Sequence, residues 1–162
     1  MEVDKKLLAK MMAVADELFG TQSDPDQIPV TMDSWNRISR ISKDFLSCRL
    51  TDDGELKGWA VVIPTTRQVM GDFLTGRISE KELMHRTPLQ KEYDALYLCS
   101  VIVLPEYRRQ GIAAGLLKEL IDKAPIKKGA ALFAWPFSAE GKMLVRKLAL
   151  EYNLKIQLRE KQ

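Results

Sequence analysis

The sequence is poor in the residues that build metal centres and disulfide frameworks. Its 162 residues include two cysteines, Cys48 and Cys99, and one histidine, His85. Two cysteines cannot make a disulfide framework, and one histidine leaves too few soft ligands for a usual zinc site. Any Ser-His-Asp arrangement would have to use His85. We therefore expect no metal site.

Long apolar runs and a strong charge of one sign are lacking as well. No window reaches the roughly 18 apolar residues that a membrane-spanning helix needs, and residues 1–6 carry charges of both signs, unlike a signal peptide. Lysine and arginine total 25 against 22 for aspartate and glutamate, a net charge of +3. That surplus is too small to argue for a nucleic acid or a membrane surface as partner. The expectation is a cytoplasmic protein that binds neither.

The residues that are present are those of an ordinary globular domain. Hydrophobic residues make up 46% of the chain and charged residues 29%, and the length predicts a single domain over 1–162. Periodicity and turn signals predict an α/β domain of order α-α-β-β-(insert)-β-α-β-α-β. The expected elements are helix 4–19, a short helix capped by Thr31 or Asp33, strands 45–50 and 56–63, insert 65–93, strand 95–104, helix 111–124, strand 130–135, a helix capped by Ser138, and strand 154–158. Pro64 is expected to end the second strand, and Ser79 with Glu82 forms a capping box inside the insert.

The segment after the 95–104 strand carries the clearest chemical signal. The strand stops at Pro105, a short basic turn follows, and a helix opens at Gly111. The free N–H groups and the dipole of a helix N-terminus favour an anion there. Gly111 lets a ligand approach the backbone, Ala113 keeps the first turn slim, and Arg108 and Arg109 add positive charge. The pattern predicts a phosphate cradle; the plainer alternative is a corner whose glycine serves only the turn.

These residues resemble a motif of the GNAT acyltransferase superfamily. The family's pyrophosphate motif, (Gln/Arg)-x-x-Gly-x-(Gly/Ala), stands here as Arg108-Arg-Gln-Gly111-Ile-Ala113, and Val103-Leu-Pro-Glu-Tyr107-Arg108 matches the Val-x-Pro-x-Tyr-Arg before it. The resemblance implies the GNAT acyl-CoA N-acyltransferase fold, a mixed central sheet flanked by helices. Here that fold would carry a helical insert between strands and a shortened C-terminal end.

The resemblance also implies a ligand and a reaction. The cosubstrate would be acetyl-CoA or another acyl-CoA, and the reaction would transfer acetyl to a primary amine by direct attack in a ternary complex. The backbone amide of Val101 would polarise the thioester carbonyl. The residues implied in cofactor binding are Val101, Ile102, Val103, Arg108, Arg109, Gln110, Gly111, Ile112, Ala113 and Ala114.

The catalytic half of the motif set departs from the family. Tyr97 stands where the histone-type enzymes carry a glutamate base, and Val145 stands where many members carry a tyrosine acid. The catalytic candidates are Tyr97, Ser100 and the Val101 amide. Simple alternation places Tyr97 on one strand face with Cys99, Val101 and Val103, and Ser100 on the other. Tyr97 is then either a core aromatic or a phenol that touches the acceptor or orders a water base.

Several alternatives stay open at this stage. The chain could be a catalytically inactive CoA-binding sensor or subunit, because the usual base and acid are absent. The insert over 65–93 could be a decorated surface excursion or a lid over the acceptor site. A terminal strand with an open edge invites pairing between two copies, so a homodimer is possible.

Overall fold

The computed structural model describes residues 5–19, 25–136 and 138–159. Its helices are α1 (Lys5–Phe19), α2 (Met32–Ile41), α3 (Arg67–Leu74), α4 (Glu80–Arg86), a 3-10 turn (Pro105–Tyr107), α5 (Ile112–Lys123) and α6 (Ala139–Glu151). Its strands are β1 (Leu46–Leu50), β2 (Leu56–Thr65), β3 (Tyr93–Val103), β4 (Ile126–Ala134) and β5 (Ile156–Leu158). The predicted order of elements is confirmed. The first residue of the predicted helix 4–19 lies outside the described residues.

The strands form one mixed sheet in the order β1-β2-β3-β4-β5. The first three are antiparallel neighbours, and β3, β4 and β5 run parallel. Parallel neighbours need a crossover, and α5 and α6 supply it. One core lies between the sheet and α1 to α4, and a second lies between the sheet and the two crossover helices. The predicted mixed sheet flanked by helices is confirmed.

Strand β2 continues through Pro64 to Thr65, so the prediction that Pro64 ends it is wrong. The N–H of Val62 donates to Phe45 O at 2.9 Å, on the β1 side, and the nitrogen of Pro64 lies two residues on along that edge. Because β1 begins at Leu46, opposite Val61, this end of β2 has an open edge. A missing N–H there breaks no ladder bond.

The insert over 65–93 is part of the protein core. Thr66 caps α3, and the predicted capping box of Ser79 and Glu82 opens α4. Most apolar side chains of both helices are buried in the core on this side of the sheet, including Phe73, which is 0% exposed, and the partly buried Leu74 packs against this core. The interpretation of this segment as a decorated surface excursion is therefore wrong. No helix in the described part of the chain is long and apolar enough to cross a membrane.

Candidate active site

The sheet opens between β3 and β4. Their pairing ends with Leu98 opposite Ala134, where β4 stops, whereas β3 runs on to Val103. Beyond Leu98 the strand therefore presents an edge that β4 does not cover. A cleft of about 500 Å³ lies along this edge, and residues 98–103 all line it.

A β-bulge at Cys99 sets the orientation of the exposed edge. In the β2–β3 ladder Val61 lies opposite Ser100, but the next residue, Val62, lies opposite Leu98. Cys99 is thus an extra residue on β3. A bulge of this kind bends the strand and shifts the alternation of its side chains by one position.

The bulge overturns the predicted faces of β3. Tyr97 and Ile102 belong to the core under α1 to α4, whereas Val101 packs against the core under α5 and α6. Ser100 shares the Tyr97 face, because its partner Val61 lies in that same core. The expectation that Tyr97 and Val101 share a face, with Ser100 opposite, is therefore wrong. Strict alternation assumes a regular strand, and the apolar run gives no sign of the extra residue.

The peptide groups at the end of β3 show where the Val101 amide points. The N–H of Leu104 donates to Lys57 O of β2 at 2.9 Å, and Val103 O accepts a bond from Arg108 Nε at 3.0 Å on the opposite side. Peptide groups alternate in direction along a strand. The N–H of Val101 therefore points away from β2, into the cleft.

The turn that follows β3 gathers free backbone N–H groups. Arg109 and Gly111 have left-handed φ angles of 67° and 77°, and turns of this kind make concave anion sites from successive N–H groups. A left-handed φ is uncommon for a residue with a side chain, and such strain is held where the surrounding structure demands it. Gly111 is the N-cap of α5, so the helix begins one residue later than predicted.

The first helical donor of α5 is the N–H of Gly115, which bonds to Gly111 O at 3.1 Å. The N–H groups of Ile112, Ala113 and Ala114 precede it and have no partner within the helix. The methyl group of Ala114 is buried in the core, so this residue could offer a ligand only its amide. Arg108 and Ala113 line the cleft, whereas the side chains of Arg109 and Gln110 are exposed in the turn.

Tyr97 lies behind the cleft. It is 0% exposed, stacks on Phe133 and meets Phe73 edge-on, each at a centroid distance of 5.0 Å. Its phenol donates to Glu80 Oε2 at 2.5 Å. Burial, followed by the negative charge of Glu80, raises the pKa of Tyr97 well above its usual value. The phenol therefore stays protonated and acts as a donor, and the core-aromatic interpretation fits its position.

Glu80 is the site residue that the sequence analysis missed. It is 5% exposed, lines the cleft, and accepts a 2.9 Å bond from the Ile28 N–H through Oε1. A signal for it exists in the sequence. Glu80, Leu83 and Met84 have the i, i+3, i+4 spacing of one helix face, and all three are buried. The capping-box pattern singles out Glu82 and not Glu80, although both lie in the first turn of α4.

Other polar side chains near the cleft are less suited to chemistry. Cys99 lines the cleft, but burial and the charge of Glu80 raise its pKa well above the usual value, so it stays a thiol and is a poor nucleophile. Ser100 lines the cleft. His85 is exposed at the far end of α4. Among the described residues no group of three potential metal ligands lies together.

The cleft reaches both faces of the sheet. On one face it is walled by Trp35, Ile38 and Trp59, and on the other by Leu117 and Leu144. These walls belong to the two different cores. Two ligands could therefore approach from opposite faces and meet at the open edge of β3.

Comparison with known proteins agrees with this geometry. Neither the curated proteins nor the solved structures gave a match. The model of the acetyltransferase (GNAT) family, however, matches residues 11–139. The match contains the open edge of β3, the turn at Arg109 and Gly111, and the insert. The chain belongs to the GNAT acetyltransferase family.

Proposed function

We propose that this protein transfers an acetyl group from acetyl-CoA to a primary amine by direct attack in a ternary complex. Membership of the GNAT family supports acyl-CoA-dependent N-acyltransfer in general. The observation that carries the proposal is the open edge of β3, which leads directly into a turn of free N–H groups. An extended, amide-bearing arm ending in a pyrophosphate is the ligand shape that such an edge and turn would fit.

The cofactor would lie along β3 and end at α5. Its pantetheine arm would pair with residues 101–103 as an added strand. Its pyrophosphate would accept hydrogen bonds from the backbone N–H groups of residues 109–114, where the dipole of α5 favours negative charge. Arg108 and Arg109 would add positive charge. The hydrogen bond from Arg108 Nε to Val103 O holds the turn against the end of β3.

The reaction centre would lie beside Val101. Its N–H points into the cleft and would donate to the thioester oxygen, which becomes negative as the amine attacks. The amine must lose a proton before it attacks, and the departing thiolate must gain one. Acetyl is proposed as the acyl group because it is the usual one in this family.

A second candidate function is CoA binding without turnover. Val145 lines the cleft at the position where many family members have a tyrosine acid, and it cannot donate a proton. Both functions require CoA binding, so a binding measurement does not separate them. Release of CoA thiol from acetyl-CoA in the presence of a panel of primary amines does, because only the acyltransferase produces it.

Acetyl-CoA is expected to raise the melting temperature of the protein. A ligand that binds only the folded state contributes about 2.7 kcal/mol at 100 times its Kd, which corresponds to roughly 5–10 °C for a chain of this size. ATP, which lacks the pantetheine arm, should give a much smaller shift. Differential scanning calorimetry measures both. An unchanged melting temperature at millimolar acetyl-CoA would contradict the proposed cofactor site.

Arg109→Gln is expected to weaken CoA binding about tenfold or more and to leave stability within about 0.5 kcal/mol of wild type. The side chain is exposed, so its loss costs little in folding, but hydrogen bonds to charged groups contribute about 1.5–3 kcal/mol. The loss of affinity should shrink at high salt, which screens exposed charges. Lys127→Gln, at the exposed start of β4, is the matched control. Equal CoA titrations for Arg109→Gln and wild type would exclude a role for the side chain.

A further inference from the structure

Glu80 places a carboxylate in the apolar wall of the cleft on the α1 to α4 side. We propose that Glu80 binds the acceptor amine as its ammonium ion and receives its proton, and that the acceptor is a primary amine on an apolar stem. This inference rests on the proposed acyl transfer. It extends that proposal by assigning an acceptor class and a residue supplied by the insert.

The carboxylate is held in a defined orientation. Oε2 accepts from the Tyr97 phenol at 2.5 Å, a separation typical of a hydroxyl bonded to an ionised carboxylate. Oε1 accepts from the Ile28 N–H at 2.9 Å. A further bond, from the Lys81 N–H to Asp26 O at 3.1 Å, ties the start of α4 to the same loop. A carboxylate that is held by two hydrogen bonds in the wall of a cleft is oriented to bind a ligand, and it contributes little to solubility.

The surroundings of Glu80 define the rest of the acceptor. The walls on this face of the sheet are mostly apolar and aromatic; the apolar members are Ile28, Val30, Trp35, Ile38, Trp59 and Val61, and Gln27 and Ser100 are polar members besides Glu80. A cation enters such surroundings only when a charged partner compensates for its lost hydration. The cleft would thus select a compact ammonium group whose stem is a hydrocarbon or an aromatic ring.

Within residues 5–19, 25–136 and 138–159, the titratable groups beside Glu80 include Tyr97, Cys99 and Arg159, and none of these three competes with Glu80 for the proton. On β3, the Tyr97 phenol and the Cys99 thiol both stay protonated, as their raised pKa values show. Arg159, which follows β5, lies over the rings of Phe73 and Trp135 at 4.5 and 4.3 Å. Its Nη1 donates to Ile78 O at 3.1 Å. These groups supply donors and positive charge, which suit an ionised carboxylate.

Protons and electrons balance in the proposed step. The ammonium group gives one proton to the Glu80 carboxylate, and the nitrogen lone pair then forms the bond to the thioester carbon. The carbon–sulfur bond breaks with its electron pair on sulfur, and the second proton lost by nitrogen neutralises the thiolate. Glu80 finally releases its proton to water. The net change is ammonium plus acetyl-CoA to amide, CoA thiol and one proton.

Tyr97 is a positioning residue in this scheme, because its phenol touches Glu80 and not the cleft. Removing the hydroxyl would take away the bond that Oε2 accepts from Tyr97 and would loosen the orientation of the acid. Tyr97→Phe should therefore raise the KM for the amine at least threefold, with the KM for acetyl-CoA unchanged and a smaller change in kcat. A hydroxyl that served folding alone would lower stability without this split between the two substrates.

Calorimetric titration of CoA-saturated protein tests the proposal, with phenethylamine as the probe and 2-phenylethanol as its neutral isostere. Wild type should bind the amine more tightly than the alcohol. Glu80→Gln should lose at least tenfold in amine affinity and little in alcohol affinity, because glutamine keeps an acceptor for Ile28 but not the charge. Glu82→Gln, on the same helix, is the matched control, since glutamine also serves in a capping box, and it should behave as wild type.

The outcomes separate this proposal from the one on which it rests. Equal amine affinities for Glu80→Gln and wild type would overturn the role of Glu80, and so would a wild type that does not prefer the amine. The second comparison needs no variant, so a Glu80→Gln protein that fails to fold does not block the test. If acetyl-CoA does not raise the melting temperature of wild type, that result would instead contradict the proposed cofactor site. If Glu80→Gln alone loses the preference for the amine over the alcohol, and acetyl-CoA still stabilises the protein, the result supports both proposals.

Discussion

Replacing Gly111 with valine is expected to abolish detectable CoA binding in a protein that still folds. Gly111 has a φ of 77°, a region where a β-branched residue is a genuine outlier. An added Cβ would meet no atom of the protein within 4 Å, so the cost is conformational and not a clash. The chain would relieve it by moving the turn out of the left-handed region. The N–H groups of residues 109–114 would then no longer converge on a phosphate.

A matched control separates lost binding from lost stability. Gly54, in the turn between β1 and β2, has a φ of 84°, and a Cβ there also meets nothing within 4 Å. Gly54→Val should therefore carry a similar strain, on the order of 1–2 kcal/mol, away from the cleft. Urea unfolding should show comparable losses of stability for the two variants, and CoA titration should show lost affinity only for Gly111→Val. A folded Gly111→Val protein with full CoA affinity would show that the phosphate site does not lie at this turn.

The parts of this fold that the sequence predicts are those encoded locally. The capping box at Ser79 is a contact between residues three apart, and the strand, turn and helix around Gly111 form one continuous segment. Hydrophobic periodicity also predicted the order of the elements along the chain. The turn proposed as the phosphate cradle could be located for the same reason, since its N–H groups belong to consecutive residues.

The parts that the sequence does not predict depend on register and on distant contacts. The bulge at Cys99 exists only in the pairing of β3 with β2, and no property of the apolar run marks it. Strand β2 can contain Pro64 because β1 begins at Leu46 and leaves that end of β2 unpaired on the β1 side. Glu80 reaches Tyr97, 17 residues away, and Ile28, 52 residues away. Its helical spacing shows which face it occupies, but only the docking of the insert shows that this face borders the cleft.

The docking of the insert is expected to depend strongly on Phe73. This ring is 0% exposed and packs against three aromatic rings: Tyr97 at 5.0 Å, Phe133 at 6.0 Å and Trp135 at 5.7 Å between centroids. Truncation of a fully buried phenylalanine costs about 3–5 kcal/mol. Because domains of this kind have total stabilities of about 5–15 kcal/mol, Phe73→Ala should bring the protein close to unfolding. Urea denaturation measures the change.

Leu89→Ala, in the same insert, is the control for Phe73→Ala. Leu89 is 57% exposed, so its truncation should change stability by no more than about 0.5 kcal/mol. Phe73→Leu should fall between the two, because leucine keeps part of the buried volume. If the insert were a lid resting on a finished core, Phe73→Ala would cost little and would mainly speed ligand exchange. A loss of several kcal/mol together with weakened amine binding would show instead that the same packing both stabilises the fold and holds Glu80 at the cleft.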